Sequence, residues 1–177
     1  GVSTATITTV LLKKGLRNVW MRGSRPLRPG QPRLGGPAFT LRFVPVREDL
    51  ATPESWGKPI STRAAIEDMP EGCVAIADAM GVTNSGIFGD ILCMRMVKRG
   101  VHALITDGVM RDKVGVLKTG LPLWCSGIAA PPSVNACVHC VSKRSPCTSA
   151  GSRPKPSRSS DVEHAEYDRG QNEPVNR

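Results

Sequence analysis

The sequence predicts an α/β domain with parallel strand pairing, on three observations. Residues 73–77 and 103–106 are short continuous apolar runs, the pattern of strands buried on both faces. The segment between them, from Asp90 to Arg99, carries apolar residues at helical spacing. Glycine and proline punctuate the junctions. Strand, helix and strand in alternation favour parallel pairing, because a parallel return needs a crossover.

Taken in order, Ser3 to Leu12 begins with a capping-type residue, turns apolar and stops near Gly15, as a helix does. Residues 22–37 contain four prolines and four glycines and are expected to be loop or edge structure. Ala38 to Val46 alternates as a strand, with Phe39, Leu41 and Phe43 on one face. Pro45 places the end of that strand at a sheet edge or bulge. Residues 51–60 form a polar loop, and Ser61 to Met69 is a short helix stopped by Pro70. The strand at 73–77 leads into a glycine-rich loop, Gly81 to Gly89. Asp90 opens the next helix, whose apolar positions include Phe88, Ile91, Leu92 and Met96 as one helical face, and Gly100 ends it. After the strand at 103–106 comes a turn at Asp107-Gly108, a short helix over 112–118 and a third short strand over 121–125. No internal repeat is visible.

A chain of 177 residues suits one domain with a real core. Aromatics are only 4%, so aliphatic side chains must fill that core. The first residue is Gly1, so the chain is expected to be processed, trimmed or a fragment. No stretch reaches the roughly 18 apolar residues of a membrane span. Lys13 and Lys14 follow the first apolar run, which is the wrong order for a signal peptide. The reading is a soluble, cytoplasmic protein with no membrane partner. The net charge is +9, and nine Lys or Arg lie between Lys13 and Arg47 with no acid among them. No aromatic stacking platform accompanies them, so a solvated basic flank is favoured over a nucleic-acid surface.

Two segments hold groups that can carry chemistry. The first is Gly86-Ile-Phe-Gly-Asp90-Ile-Leu92, a glycine-rich loop opening a helix. Free amides and the helix dipole make such a start an anion seat. Gly81, Gly86 and Gly89 do not fit the dinucleotide-binding order. The second is Thr106-Asp-Gly-Val-Met-Arg111-Asp112. Arg111 can fork onto a carboxylate or carbonyl oxygen, and Asp112 can hold a hard divalent cation. Asp90, across the βα unit, can hold a water. A 2-oxo acid needs this set, because cation and arginine draw charge from its carbonyl while amides hold its carboxylate. The simpler readings stand beside this one: Asp90 as a first-turn acid, and Arg111-Asp112 as a surface turn pair.

Asp90 and Arg111-Asp112, with twenty residues between, resemble the motif of the aldolase-type members of the RraA-like family. The flanking words Gly89-Asp-Ile-Leu92, Gly100-Val-His-Ala-Leu-Ile-Thr-Asp-Gly108 and Leu121-Pro-Leu-Trp-Cys-Ser-Gly127 are similar too, as are Gly36-Pro-Ala-Phe-Thr40 and Val2-Ser-Thr-Ala-Thr6. The resemblance covers about residues 1 to 134. It implies a single three-layer β/β/α domain of the swivelling type, assembled as a homotrimer or homohexamer. It implies a lyase that releases pyruvate from 2-oxo acids, as 4-hydroxy-4-methyl-2-oxoglutarate aldolase and oxaloacetate decarboxylase, with Mg2+ or Mn2+. By position, Asp112 is the metal ligand, Arg111 binds the pyruvate carbonyl region and Asp90 orients a water for proton transfer. Gly89 and the amides of Ile91 and Leu92 hold the carboxylate. Other members lack the complete motif and instead bind and inhibit ribonuclease E; such a regulator, or an inactive remnant with an altered C-terminus, is the alternative function.

Near Asn135 the composition changes. Residues 141–160 are Ser, Pro, Lys, Arg and Gly with almost nothing apolar, too little to offset chain entropy. The expected boundaries are a domain over 1–135 and an atypical, disordered tail over 136–177. The tail stands where the family's last strands belong, as a frameshift or alternative ending would leave it. Those strands are expected to be absent, with an acid they lend to a neighbouring subunit's metal shell. Cys73, Cys93 and Cys125 lie in apolar segments and read as buried thiols. Cys137 and Cys140, with His139, Cys147 and His164, are zinc-ligand types, but their spacing fits no standard module.

Overall fold

A computed structural model describes residues 1–46, 52–59, 61–133 and 138–144, the last as backbone. The chain opens with α1 (Thr4–Lys13), whose N-cap Ser3 accepts a hydrogen bond from the Thr6 amide, as its sequence predicts. Gly15, at a positive φ of 81°, ends it. None of its residues is buried.

The large sheet is built from β1 (Arg25–Pro26), β2 (Ala38–Pro45), β3 (Val74–Asp78), β5 (Ala103–Thr106), β7 (Leu123–Cys125) and β9 (Val138–Arg144). Its order is β1-β7-β5-β3-β2-β9. The four central strands are parallel, and β1 and β9 close the two edges antiparallel. Three returns join the parallel strands, each carrying a helix as such pairing requires. These are α2 (Thr62–Glu67), α3 (Asp90–Lys98) and α4 (Lys113–Lys118). A 3-10 turn, Pro53–Gly57, precedes α2 in what the sequence presents as a polar loop.

The glycine-rich loop and the Asp107-Gly108 turn contain more than loops. Gly86–Phe88 is a buried strand, β4, and Val109–Met110 is another, β6. With β8 (Gly127–Ile128) they form a second, three-stranded parallel sheet of order β4-β6-β8. These strands have two or three residues, too short for any alternation to show. Strand β3 is followed by β4 and α3, and β5 by β6 and α4. The same strand–strand–helix unit is thus used twice without sequence repetition.

One hydrophobic cluster joins both sheets and helices α2, α3 and α4. Phe39, Leu41 and Phe43 alternate inward from β2, as the sequence predicts. Phe43 meets Phe88 of the small sheet edge-to-face, with ring centroids 5.9 Å apart. Ala65 and Ile66 of α2, Cys93 and Met96 of α3 and Val116 of α4 complete the core. Cys73, Cys93 and Cys125 are buried free thiols.

Pro45 lies past the β3-paired stretch of β2, which ends at Arg42↔Asp78, and a register shift falls between Arg42 and Phe43 on the β9 side. The composition places the domain's end near 135. The structure carries backbone pairing further, since Val138–Arg144 runs antiparallel to β2. Val138 and Val141 supply β-branched residues in this stretch. Cys137, Cys147 and His164, and every residue after Arg144, lie outside the described residues. Among those described, no helix is long and apolar enough to cross a membrane.

Candidate functional site

Strands β4 and β6 run parallel as neighbours, with Phe88 opposite Met110. Each is followed at once by a helix. Gly89 is the N-cap of α3 and Asp90 its first residue, while Arg111 follows β6 and Asp112 is the N-cap of α4. The Arg111 amide donates to the Phe88 carbonyl at 3.0 Å, which ties the two connections together. The two helix starts therefore lie side by side and bring Gly89, Asp90, Arg111 and Asp112 into one place.

The contacts there interlock. Arg111 Nε donates to Asp112 Oδ2 at 2.9 Å. That same Oδ2 lies over Gly89: a Cβ on Gly89 would stand 2.7 Å from it and 3.2 Å from Arg111 Cγ. Asp90 reaches in the opposite sense, onto Gly115 in the first turn of α4. Each carboxylate occupies the space that a missing side chain leaves in the other unit. The Arg111 and Asp112 side chains are 35% and 43% exposed, so water and ligands reach them.

Asp112 departs from its local role. An aspartate at an N-cap ordinarily accepts from an amide of the first turn, yet the Asp112 side chain makes no such bond. Its backbone is left-handed, at φ 54° and ψ 45°, a region costly for residues other than glycine and least so for Asn and Asp. This turn directs the carboxylate back toward Gly89 and Arg111.

At α3 the first intrahelical bond is Cys93 N–H to the Gly89 carbonyl. The amides of Asp90, Ile91 and Leu92 therefore precede the helical ladder. The sequence assigns Ile91 and Leu92 to an anion. In the structure the Ile91 amide donates to Asp90 Oδ1 at 2.8 Å, a bond that an incoming carboxylate would have to share or displace. The Ile91 and Val114 side chains, one at each helix start, are 80% and 69% exposed and present uncovered apolar surface beside the acids.

Two residues near the site have roles that the sequence does not disclose. Asp107, read there only as part of a turn, accepts from the Ala79 amide at 2.6 Å and the Gly81 amide at 2.7 Å. It thereby holds the loop between β3 and β4. Gly115 reads as an unremarked glycine within a short helix, and no sequence signal marks its contact with Asp90. On the buried face of α3, burial pushes the Cys93 thiol up to about 12, helped by the charge of Asp90. Cys93 is thus a neutral packing group rather than a nucleophile. Among the described residues, no group of three or more His, Cys, Asp or Glu is placed to hold a metal.

Compared with known proteins, the fold is similar to that of Streptomyces coelicolor RraAS2, a structure described as an unusual member of the RNase ES inhibitor RraA protein family. The TM-score is 0.70 at 30% identity, over 80% of this chain and 66% of that one. An uncharacterized protein from Pseudomonas syringae pv. tomato has the same fold, with a TM-score of 0.64 at 23% identity over 82% of this chain and 63% of that one. Protein DlpA of Legionella pneumophila is 26% identical over 104 residues, which are 59% of this chain but 16% of DlpA. A model of the RraA-like family, described as Aldolase/RraA, matches residues 4–149, and the chain belongs to that family.

Proposed function

We propose that this protein is a divalent-metal-dependent carbon–carbon lyase that acts on 2-oxo acids and releases pyruvate. Its activities are those of a 4-hydroxy-4-methyl-2-oxoglutarate aldolase and an oxaloacetate decarboxylase. The observation that carries this reading is Asp112. It stands at a helix start in a left-handed turn, makes no cap with its carboxylate, and directs that carboxylate beside Arg111. Backbone outliers of this kind persist where the surroundings hold them, often at functional sites.

The donor set fits the metal that the reading needs. Asp112 offers one carboxylate, open to solvent and with one oxygen engaged by Arg111. Mg2+ commonly binds through one or two carboxylates and keeps several waters, and Mn2+ shares its preference for oxygen. A zinc site wants three or four protein ligands. When bound at Asp112, a divalent cation supplies Lewis-acid polarisation of the substrate carbonyl.

The protein's own groups do the rest. The bond to Asp112 uses one of the five N–H donors of Arg111 and orients the guanidinium, whose terminal groups bind the carbonyl oxygen. Negative charge develops on that oxygen as the carbon–carbon bond breaks, and Arg111 stabilises it there. The amides of Ile91 and Leu92, behind Gly89, receive the substrate carboxylate. In aldol cleavage the departing hydroxyl proton passes through an oriented water to the Asp90 carboxylate. The exposed Ile91 and Val114 side chains are surface that a homotrimer or homohexamer would cover. We place the protein in the cytoplasm, with a 2-oxo acid as its small-molecule partner.

The direct assay is pyruvate release from 4-hydroxy-4-methyl-2-oxoglutarate and from oxaloacetate, with Mg2+, with Mn2+ and with chelator. Release that depends on metal is expected; absence of release from both substrates under metal would remove the lyase reading. A second reading is a non-catalytic regulator that binds a ribonuclease, favoured by the 30% identity to RraAS2. Tight binding to an RNase E-type endonuclease without any pyruvate release would select it.

A further inference from the structure

We propose that Gly115 is a positioning residue for Asp90: the space left by its missing side chain seats the Asp90 carboxylate against the first turn of α4. An ideal Cβ on Gly115 would stand 2.6 Å from Asp90 Oδ2, 2.7 Å from Asp90 Cβ and 3.0 Å from Asp90 Cγ. All three nearest atoms belong to one side chain. Asp90 Cβ is fixed to the backbone of α3, so rotating the carboxylate away relieves only part of the clash. The helix starts must separate, or Asp90 must leave its seat. Gly115 has no positive φ that would demand glycine, so close approach is what the structure offers as its reason.

The consequence for chemistry rests on the lyase reading above. With Gly115 present, one Asp90 oxygen is held by the Ile91 amide at 2.8 Å. The other is pressed against α4, beside the turn that carries Asp112. The carboxylate thereby faces the gap between the two helix starts. A misplacement of about 1 Å in such a group can cost on the order of 100-fold in rate. Because Asp90 moves a proton rather than holding the substrate, the loss should fall on kcat and leave KM nearly unchanged.

A double-mutant cycle separates this from a generic helix effect. The variants are Gly115→Ala, Asp90→Gly and the pair, each measured for thermal midpoint and for pyruvate release from 4-hydroxy-4-methyl-2-oxoglutarate under Mg2+. Helix preference alone predicts that Gly115→Ala raises the midpoint, since alanine is the better helix former. The interlock predicts the opposite sign: Gly115→Ala lowers the midpoint in the wild-type background and does not lower it in the Asp90→Gly background. It also predicts a kcat loss of roughly 100-fold in Gly115→Ala and no further loss when Asp90 is already removed. If Gly115→Ala fails to fold, recovery of folding by Asp90→Gly supports the proposal, and failure of both overturns it. A raised midpoint with intact kcat, or the same drop in both backgrounds, also overturns it. Absence of pyruvate release from the wild type would sink the lyase reading alone. The thermal cycle would then still decide whether Gly115 seats Asp90.

Discussion

Replacing Asp112 by glycine should leave the fold standing and stop the chemistry. A left-handed conformation costs an L-residue about 1–2 kcal/mol, with Asp toward the low end, and glycine removes that cost. There is no side-chain cap to lose. The Arg111–Asp112 pair is 35% and 43% exposed, so its loss is worth only about 0–1 kcal/mol. The extra freedom of glycine in the unfolded chain opposes by about 0.4–1 kcal/mol. The sum lies within roughly 1 kcal/mol of zero, or a shift of about 2–4 °C or less for a chain of this size. Metal-dependent pyruvate release should meanwhile fall by on the order of 100-fold or more, since Asp112 is the carboxylate assigned to the cation. Thermal unfolding and the pyruvate assay on the same preparation test both halves. A loss of several kcal/mol would make the Asp112 carboxylate a structural group. Full turnover in the variant would remove it from the site.

Arg111→Ala should cost on the order of 100- to 1000-fold in kcat, the typical loss for one donor to developing charge. Arg111→Lys should not restore it, since a point charge cannot keep the Nε bond and fork onto the carbonyl together; recovery of most of the rate by lysine would contradict that role. Asp107→Ala removes the acceptor of two amides at 2.6 and 2.7 Å. It should lower stability by about 1–3 kcal/mol in urea unfolding, and an unchanged midpoint would show that the β3–β4 loop stands without it. The thiol of Cys93 is raised from its ordinary 9.0 to about 12. Below pH 9 the folded and unfolded chains both keep this proton. Between 9 and 12 only the unfolded chain releases it, so stability should fall as pH rises through that window. Cys93→Ala should flatten this part of the pH profile in urea titrations, and an equally steep fall in the variant would assign the effect elsewhere.

The central strands β2, β3 and β5 of the large sheet were legible because they are long enough to carry a pattern. Phe39, Leu41 and Phe43 alternate over β2, and 103–106 is a continuous apolar run. Ser3, Gly15, Ser61 and Gly100 mark helix ends by ordinary capping chemistry. The small sheet was not legible. Its strands are two or three residues long and lie among glycines that read as loop, and only pairing between distant segments makes them strands. The edge formed by Val138–Arg144 was hidden for another reason: a polar composition masks a backbone pairing that depends little on side chains. The candidate acids were legible as types and as a family spacing. Their mutual geometry was not, because it depends on Gly89 and Gly115, whose contribution is an absence of atoms.

Parallel pairing explains how residues twenty-two positions apart come to share one site. Phe88 ends β4 and Met110 ends β6, and the two are opposite each other in a parallel register. Asp90 and Asp112 each follow two residues later. An antiparallel pair would carry the continuations of these strands to opposite ends of the sheet. A parallel pair delivers them to the same end, one strand spacing apart, which is about 4.8 Å. Repeating the strand–strand–helix unit thus places two carboxylates together before any side-chain contact is considered. Such a pair is self-repelling. Arg111 supplies one positive charge, bound to Asp112 at 2.9 Å, at the mouth of two helices whose dipoles present their positive ends there. On the lyase reading, a divalent cation would answer the acids, and a substrate carboxylate would answer the helix amides. That balance is the physical reason for expecting both ligands together at these helix starts.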